Sequence, residues 1–140
     1  MTNRRMAEII RRQNPATLPA TATVQEACRL MRERRIGAVL VTGVDGKLTG
    51  VFTGRDAVGR VLAEALDPTR TELGSVMTPE PDSLGPAARA IDALRLMEDG
   101  GFRHVPVVDG VKIVGIVSQG DFKGLERARL DEETGFWEIL

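Results

Sequence analysis

Two short segments of this chain place a hydroxyl and a carboxylate three residues apart, Thr53-Gly54-Arg55-Asp56 and Ser118-Gln119-Gly120-Asp121. Each follows an apolar run opened by glycine, Gly50-Val51-Phe52 and Gly115-Ile116-Val117. At a strand end entering a helix, the two groups can face the same small volume. An ionised carboxylate there accepts hydrogen bonds from two vicinal hydroxyls, as on a ribose. The Thr or Ser hydroxyl can donate to a phosphate or sugar oxygen. Free N–H groups and the partial positive charge at the helix N-terminus suit a phosphate. The same spacing is also that of a helix cap, in which the hydroxyl and the carboxylate satisfy the first backbone amides. Two occurrences do not separate the readings, since duplication copies caps as readily as sites.

The duplication extends well beyond these motifs. Ala27-Cys28-Arg29-Leu30-Met31 recurs as Ala93-Leu94-Arg95-Leu96-Met97, and Val39-Leu40-Val41 as Val105-Pro106-Val107. The first two matches are offset by 66 residues and the Gly50/Gly115 match by 65, because the second turn is one residue shorter. A repeat of this length is one supersecondary unit that buries its apolar face against its copy.

The elements that position the motifs follow from periodicity. Val24, Ala27, Cys28 and Met31 fall at i, i+3, i+4 and i+7, as do Ala90, Ala93, Leu94 and Met97, so each set lies on one helical face. Each helix is followed by a short strand, Ala38 to Thr42 and His104 to Val108. An Asp-Gly turn, Asp45-Gly46 or Asp109-Gly110, then leads to a second strand, Leu48 to Thr53 and Ile113 to Ser118. Asp-Gly between apolar runs predicts antiparallel hairpins. Extended pieces are expected before each first helix, over Ala16 to Leu18 and Pro81 to Leu84. A further helix opens at Asp56 with an apolar stripe of Val58, Val61, Leu62 and Ala65. Its counterpart at Asp121 carries Gly124 in its first turn. Pro106 has no N–H for a ladder and so marks an edge or an outward-facing position. Met6 to Arg12 reads as a short helix ended by Asn14-Pro15, and Asp67-Pro68 stops the stripe that began at Asp56.

The expected organisation is therefore a first repeat over 6–66, a linker over 67–76, a second repeat over 77–124 and a helical tail over 125–140. The tail ends in Phe136, Trp137, Ile139 and Leu140, and either folds back on the body or docks on another subunit. The fold class is α+β, with two pseudo-symmetric repeats, each a small antiparallel or mixed sheet flanked by helices.

Composition narrows the function classes. The 140 residues are 42% hydrophobic, and 19 basic against 20 acidic residues leave a net charge of −1. No global field recruits nucleic acid or an anionic membrane. The arginines at Arg4-Arg5, Arg11-Arg12 and Arg32 to Arg35 read as solvated helix faces, with an anion-attracting rim conceivable for the last cluster alone. The single cysteine, Cys28, excludes an internal disulfide and a cysteine-rich metal site. It reads as a small buried side chain on the helix face. No apolar segment is long enough to span a bilayer, so a cytoplasmic location is expected. Asp45 and Asp109 read as turn residues.

Taken together the motifs resemble a tandem pair of CBS (cystathionine β-synthase type) domains, a Bateman module, over about Met6 to Gly124. Val76-Met77-Thr78-Pro79 resembles the family's lead-in to its second repeat, and Phe102-Arg103-His104-Val105-Pro106-Val107-Val108-Asp109 its central strand. The Thr53/Asp56 and Ser118/Asp121 pairs match its ribose-binding signature. The resemblance implies two repeats about a pseudo-twofold axis, with clefts between them that take AMP, ADP, ATP or S-adenosylmethionine as a regulatory signal. Carried onto this chain, Asp56 and Asp121 would each hold a ribose, while Thr53 and Ser118 would contact ribose or the first phosphate. Adenine would lie against backbone near Gly37-Ala38-Val39 or His104-Val105-Pro106. Arg55 matches a phosphate-contacting position; Gly120 stands at its equivalent, so the two sites need not be alike. His104 can face the phosphates, whereas strand alternation points Arg103 away from it.

No phosphate loop, dinucleotide turn, paired metal-spaced histidines or Ser-His-Asp set is present in the sequence. The expectation is a free-standing regulatory protein, not an enzyme, with no catalytic residues, no metal and no catalytic cofactor. It would bind an adenosyl ligand and act on an unnamed protein, as a homodimer that buries the stripes of its later helices. The alternative is a ligand-free dimerising scaffold.

Overall fold

The computed structural model describes residues 3–122. Its elements run in the predicted order (helix, strand, helix, strand, strand, helix), then a second, shorter pass through the same sequence. The chain is α+β, and its backbone divides into two compact units.

One unit takes residues 14–81 with 111–113. Strand β1 (Thr17–Pro19) pairs in parallel with β2 (Ala38–Thr42), which pairs antiparallel with β3 (Leu48–Thr53), and β4 (Thr78–Pro79) closes the sheet against β3. The predicted hairpin is present, with Gly46 at φ +80° in its turn, where an L side chain is strained. Asp45 Oδ1 accepts from the Lys47 amide at 3.0 Å, the short side-chain-to-backbone bond expected of a turn aspartate. Helix α2 (Val24–Arg34) covers the sheet. Thr23 caps it: its Oγ1 accepts from the Glu26 amide at 3.2 Å, and Glu26 returns a carboxylate oxygen to the Thr23 amide at 3.2 Å. Arg35 ends the helix at φ 54°, a left-handed position more often given to glycine. From the same arginine run, Arg34 donates to the Asn14 carbonyl. Val24, Ala27 and Met31 of the predicted stripe are buried, while Cys28 is only half-buried, and that burial raises its thiol pKa.

The other unit takes the residues up to Gln13, Asp82–Gly110 and those from Val114 on. Helix α5 (Ala90–Gly100) stands where α2 stands in its own unit, with Ala90, Ala93, Leu94 and Met97 all buried as the spacing requires. Strands β5 (His104–Asp109) and β6 (Lys112–Ser118) pair. The two residues between them permit only an antiparallel hairpin. Leu84 adds a parallel bridge to Val107, and its amide donates to the Pro106 carbonyl at 3.0 Å. The extended piece expected near Leu84 is thus present, and it uses the acceptor of Pro106 instead of its missing donor.

The compact units do not follow the sequence repeats at their edges. Helix α1 (Met6–Ile9), expected to begin the first repeat, packs into the core of the second, with Met6 and Ile10 buried among Ala93, Leu94 and Val105. Helix α4 (Leu73–Val76) falls in the stretch expected to be linker, yet Leu73 and Val76 are buried in the first unit against Val24, Ala27 and Phe52. The two lead-ins are bound alike. Met6 donates to the Ala88 carbonyl at 2.8 Å and Leu73 to that of Ala22 at 2.9 Å. Ala7 donates to Pro86 and Gly74 to Ala20, at 2.9 and 3.0 Å. Bridges Arg5↔Arg89 and Thr23↔Glu72 complete the match. Each lead-in brings two apolar side chains one helical turn apart. That stripe is the piece missing from a core whose own sequence supplies one long helix.

The helix that opens at the first motif also differs from expectation. Residues Gly54–Asp56 start an α-turn (α3) that continues as a π-helical stretch over Ala57–Leu62. Of the stripe Val58, Val61, Leu62, Ala65, only Val61 is buried; Val58 is 61% and Leu62 66% exposed. The Ala63 amide donates to the Val58 carbonyl and the Leu66 amide to that of Val61, one residue further back than in an α-helix, so the stripe no longer tracks a 3.6-residue face. The second motif opens a single 3₁₀ turn, Gln119–Asp121. The tail expected over 125–140 lies outside the described residues.

Candidate functional site

Each hydroxyl–carboxylate pair sits where the sequence predicts, at the end of the second hairpin strand and the first turn of the next helix. In the first unit, Asp56 Oδ2 accepts from the Thr53 amide at 2.9 Å and from Thr53 Oγ1 at 3.1 Å, while the Asp56 amide reaches Thr53 Oγ1 at 3.2 Å. In the second, Asp121 Oδ2 accepts from the Ser118 amide at 2.7 Å and from Ser118 Oγ at 3.2 Å. Both motifs are therefore closed caps. In both, one carboxylate oxygen carries the cap.

The strand beside each motif is held at the same point. The Gly54 amide donates to the Gly37 carbonyl at 3.1 Å, and the Gln119 amide to the Arg103 carbonyl at 3.0 Å. Ala38 is the register partner of Thr53. Gly37 and Ala38 are thereby brought beside the first motif, and His104 follows the residue tied to the second. Val39 and Val105 are wholly buried in the two cores, and Ala38 and Pro106 are buried too. Arg55 is exposed, in the first turn of its helix.

His104 is half-buried, and burial pushes its imidazole pKa below the ordinary value; the Asp121 carboxylate opposes this and the Arg103 charge adds to it. Arg103, the residue just before β5, is exposed.

A residue absent from the sequence reading joins the first motif. Arg60, one turn beyond Asp56, places Nε 3.5 Å from Asp56 Oδ1. Its Nη1 donates to the carbonyls of Val76 at 3.2 Å and Met77 at 2.9 Å. The i,i+4 spacing of a carboxylate and an arginine was the available signal. At the second motif, Arg4 donates to the Asp121 carbonyl at 2.9 Å. No sequence pattern announces that contact.

A surface hollow of about 520 Å³ in the first unit is lined by Thr21, Leu66, Arg70, Glu72 and Ser75 among others, and includes no motif residue. Arg70 is 88% exposed and turned to Asp67, so the hollow offers no buried polar group to a ligand. Among the described residues, no cluster of His, Cys, Asp and Glu could hold a metal ion, and no helix is long and apolar enough to cross a membrane.

Residues 6–63 and 73–125 each match the CBS domain. The chain belongs to the CBS domain family. It carries that domain twice. The CBS domain-containing protein YhcV of Bacillus subtilis is 38% identical over 106 residues, which are 76% of this chain and 74% of that protein. CBSCBSPB1 of Arabidopsis thaliana is 34% identical over 113 residues, 81% of this chain but 21% of its own length. The chain thus spans about a fifth of that plant CBS protein. Among solved structures, the CBS domain protein PAE2072 from Pyrobaculum aerophilum, complexed with AMP, superposes with a TM-score of 0.82 at 26% identity, covering 91% of this chain and 98% of that one.

Proposed function

We propose that this CBS-domain pair is a regulatory module that binds an adenosine-containing ligand through the Thr53/Asp56 and Ser118/Asp121 motifs. The observation that carries the reading is that both aspartates hold their caps through Oδ2, so that Oδ1, which at Asp56 faces Arg60, lies outside the cap bonds and would be the acceptor for a ribose hydroxyl. The AMP complex of the Pyrobaculum protein supports it. AMP, ADP, ATP and S-adenosylmethionine share the ribose and adenine that these residues would meet. Gly37, Ala38 and Val39, or His104, Val105 and Pro106, would supply backbone to the base, with Arg55 and His104 on the phosphate side. The ligand is a signal and not a substrate, and it acts on a partner protein only to the extent that its affinity differs between two states of the module.

The exposed Val58, Leu62 and Leu66 support a homodimer built on this face, in a cytoplasmic protein. They also favour the second reading, a ligand-free scaffold in which the two aspartates are caps and nothing more.

A thermal-shift panel of AMP, ADP, ATP and S-adenosylmethionine separates the two. At a hundred times its dissociation constant, a ligand adds about 2.7 kcal/mol of apparent stability. A shift with one ligand, absent in Asp56→Ala/Asp121→Ala, supports the sensor. No shift with any of them, and a variant that merely melts earlier, leaves the scaffold.

A further inference from the structure

The second carboxylate oxygen of Asp56 has a partner outside the cap. At Asp56, Oδ1 faces the Arg60 guanidinium at 3.5 Å, and that group also donates to the carbonyls of Val76, the last residue of α4, and of Met77 just beyond it. One planar cation thus spans the motif carboxylate and the segment that leads into the second repeat. The Asp56 side chain is 13% exposed and that of Arg60 49%, so the ion pair is partly withdrawn from solvent and less screened than a surface pair. At the second motif, the residue four beyond Asp121 is Leu125, and the arginine at that motif is Arg4, which donates to the Asp121 carbonyl at 2.9 Å. No chemistry of the cap requires Arg60, because Thr53 and Asp56 close it alone.

We propose that Arg60 is a positioning residue that couples Asp56 to the Val76–Met77 segment and competes with a diol for the Asp56 carboxylate. A donor hydroxyl approaching Asp56 Oδ1 competes with the guanidinium for the same lone pairs. As the carboxylate turns to the diol, the guanidinium loses its anionic partner, and its hold on the two carbonyls loosens. Occupancy of the first motif is then felt at α4. The Met77 amide closes that turn through a bond to the Leu73 carbonyl at 2.8 Å, which makes it the natural reporter. The part concerning a diol rests on the adenosyl reading above; the part linking Asp56 to Met77 does not.

The test has two arms. Without ligand, hydrogen exchange at the Met77 amide is followed through the cycle wild type, Asp56→Asn, Arg60→Leu and Asp56→Asn/Arg60→Leu. Asparagine keeps one acceptor for the Thr53 amide and replaces the other oxygen with an NH2 donor, so Arg60 loses its anionic partner. Asp56→Asn is expected to speed Met77 exchange roughly fivefold or more with Arg60 present, and to add nothing once Arg60 is leucine. Equal acceleration in both backgrounds overturns the coupling. Arg60→Lys serves where leucine unfolds the chain: one ammonium cannot span the carboxylate and both carbonyls, so it too should uncouple them. With AMP as probe, Arg60→Leu is expected to tighten binding in an Asp121→Asn background and leave it unchanged in an Asp56→Asn background. Unchanged or weaker binding in the first background overturns the competition. If AMP binds neither wild type nor any variant, the competition claim falls with the adenosyl reading. The exchange cycle then decides the coupling by itself.

Discussion

Gly115 lies flat against Ile10: a β carbon on residue 115 would come within 2.7 Å of the Ile10 Cβ. The contact seats α1 on β6, and Gln13 adds to it by accepting from the Ile116 amide at 2.9 Å. Gly50 holds the equivalent place on β3, where the neighbour is the Met77 side chain. Ile10 is β-branched and cannot swing clear, whereas methionine has three soft torsions. Gly115→Ala should therefore destabilise by on the order of 1–3 kcal/mol and Gly50→Ala by distinctly less. Denaturant midpoints at unchanged m-value check this; equal losses would mean that Ile10 yields as easily as Met77.

The exchanged lead-ins predict a crossed pattern of local stability. Met6 and Leu73 are both wholly buried, each in the core of the unit built mainly from the other repeat. Truncating either to alanine should cost about 2–5 kcal/mol. Met6→Ala should lower hydrogen-exchange protection in β5 before β2, and Leu73→Ala should do the reverse. Protection lost within the residue's own sequence repeat would contradict the exchange.

Two capping threonines separate cap from site. Thr23 and Thr53 make the same reciprocal bonds, but only Thr53 stands in a motif proposed to hold a ribose. Thr23→Ala and Thr53→Ala should each cost about 1 kcal/mol. Calorimetric titration with AMP should show weaker binding for Thr53→Ala alone. Parallel behaviour of the two variants would support the cap-only reading.

His104 gives the pH dependence a sign. Its folded pKa is depressed, so below the ordinary histidine value the unfolded chain binds more protons than the folded one. Its contribution is complete above about pH 6.5 and is lost as the pH falls from there through the folded pKa. His104→Gln should flatten the stability profile in that window while leaving carboxylate-driven loss at lower pH. Melting temperature followed from pH 7.5 to 5 checks it, and an unchanged slope would remove His104 as the cause.

The exposed stripe predicts association. Val58→Lys with Leu62→Glu should leave the melting temperature nearly unchanged, since both side chains are more than half exposed. It should also reduce the mass by light scattering at micromolar concentration. An identical mass in wild type and variant would place any dimer on another face.

The repeat, the hairpins, the long helices and the two motifs were legible in the residues themselves. Each is set by interactions over a few positions: the 3.6-residue spacing of Ala27 and Met31, the Asp45-Gly46 turn, the three-residue reach from Thr53 to Asp56. Only the tertiary structure showed that Met6 serves the second core, that residues 73–76 are core and not linker, and that Val58 and Leu62 face outward. Spacing says which side chains share a face and is silent on what covers it. The Ile91 amide meets the Asn3 side chain across 88 residues of chain, and nothing local records such a contact. Arg60 lies between the two cases. Its pairing with Asp56 is one helical turn and could be read in advance, but its reach to Val76 and Met77 depends on where the fold sets α4.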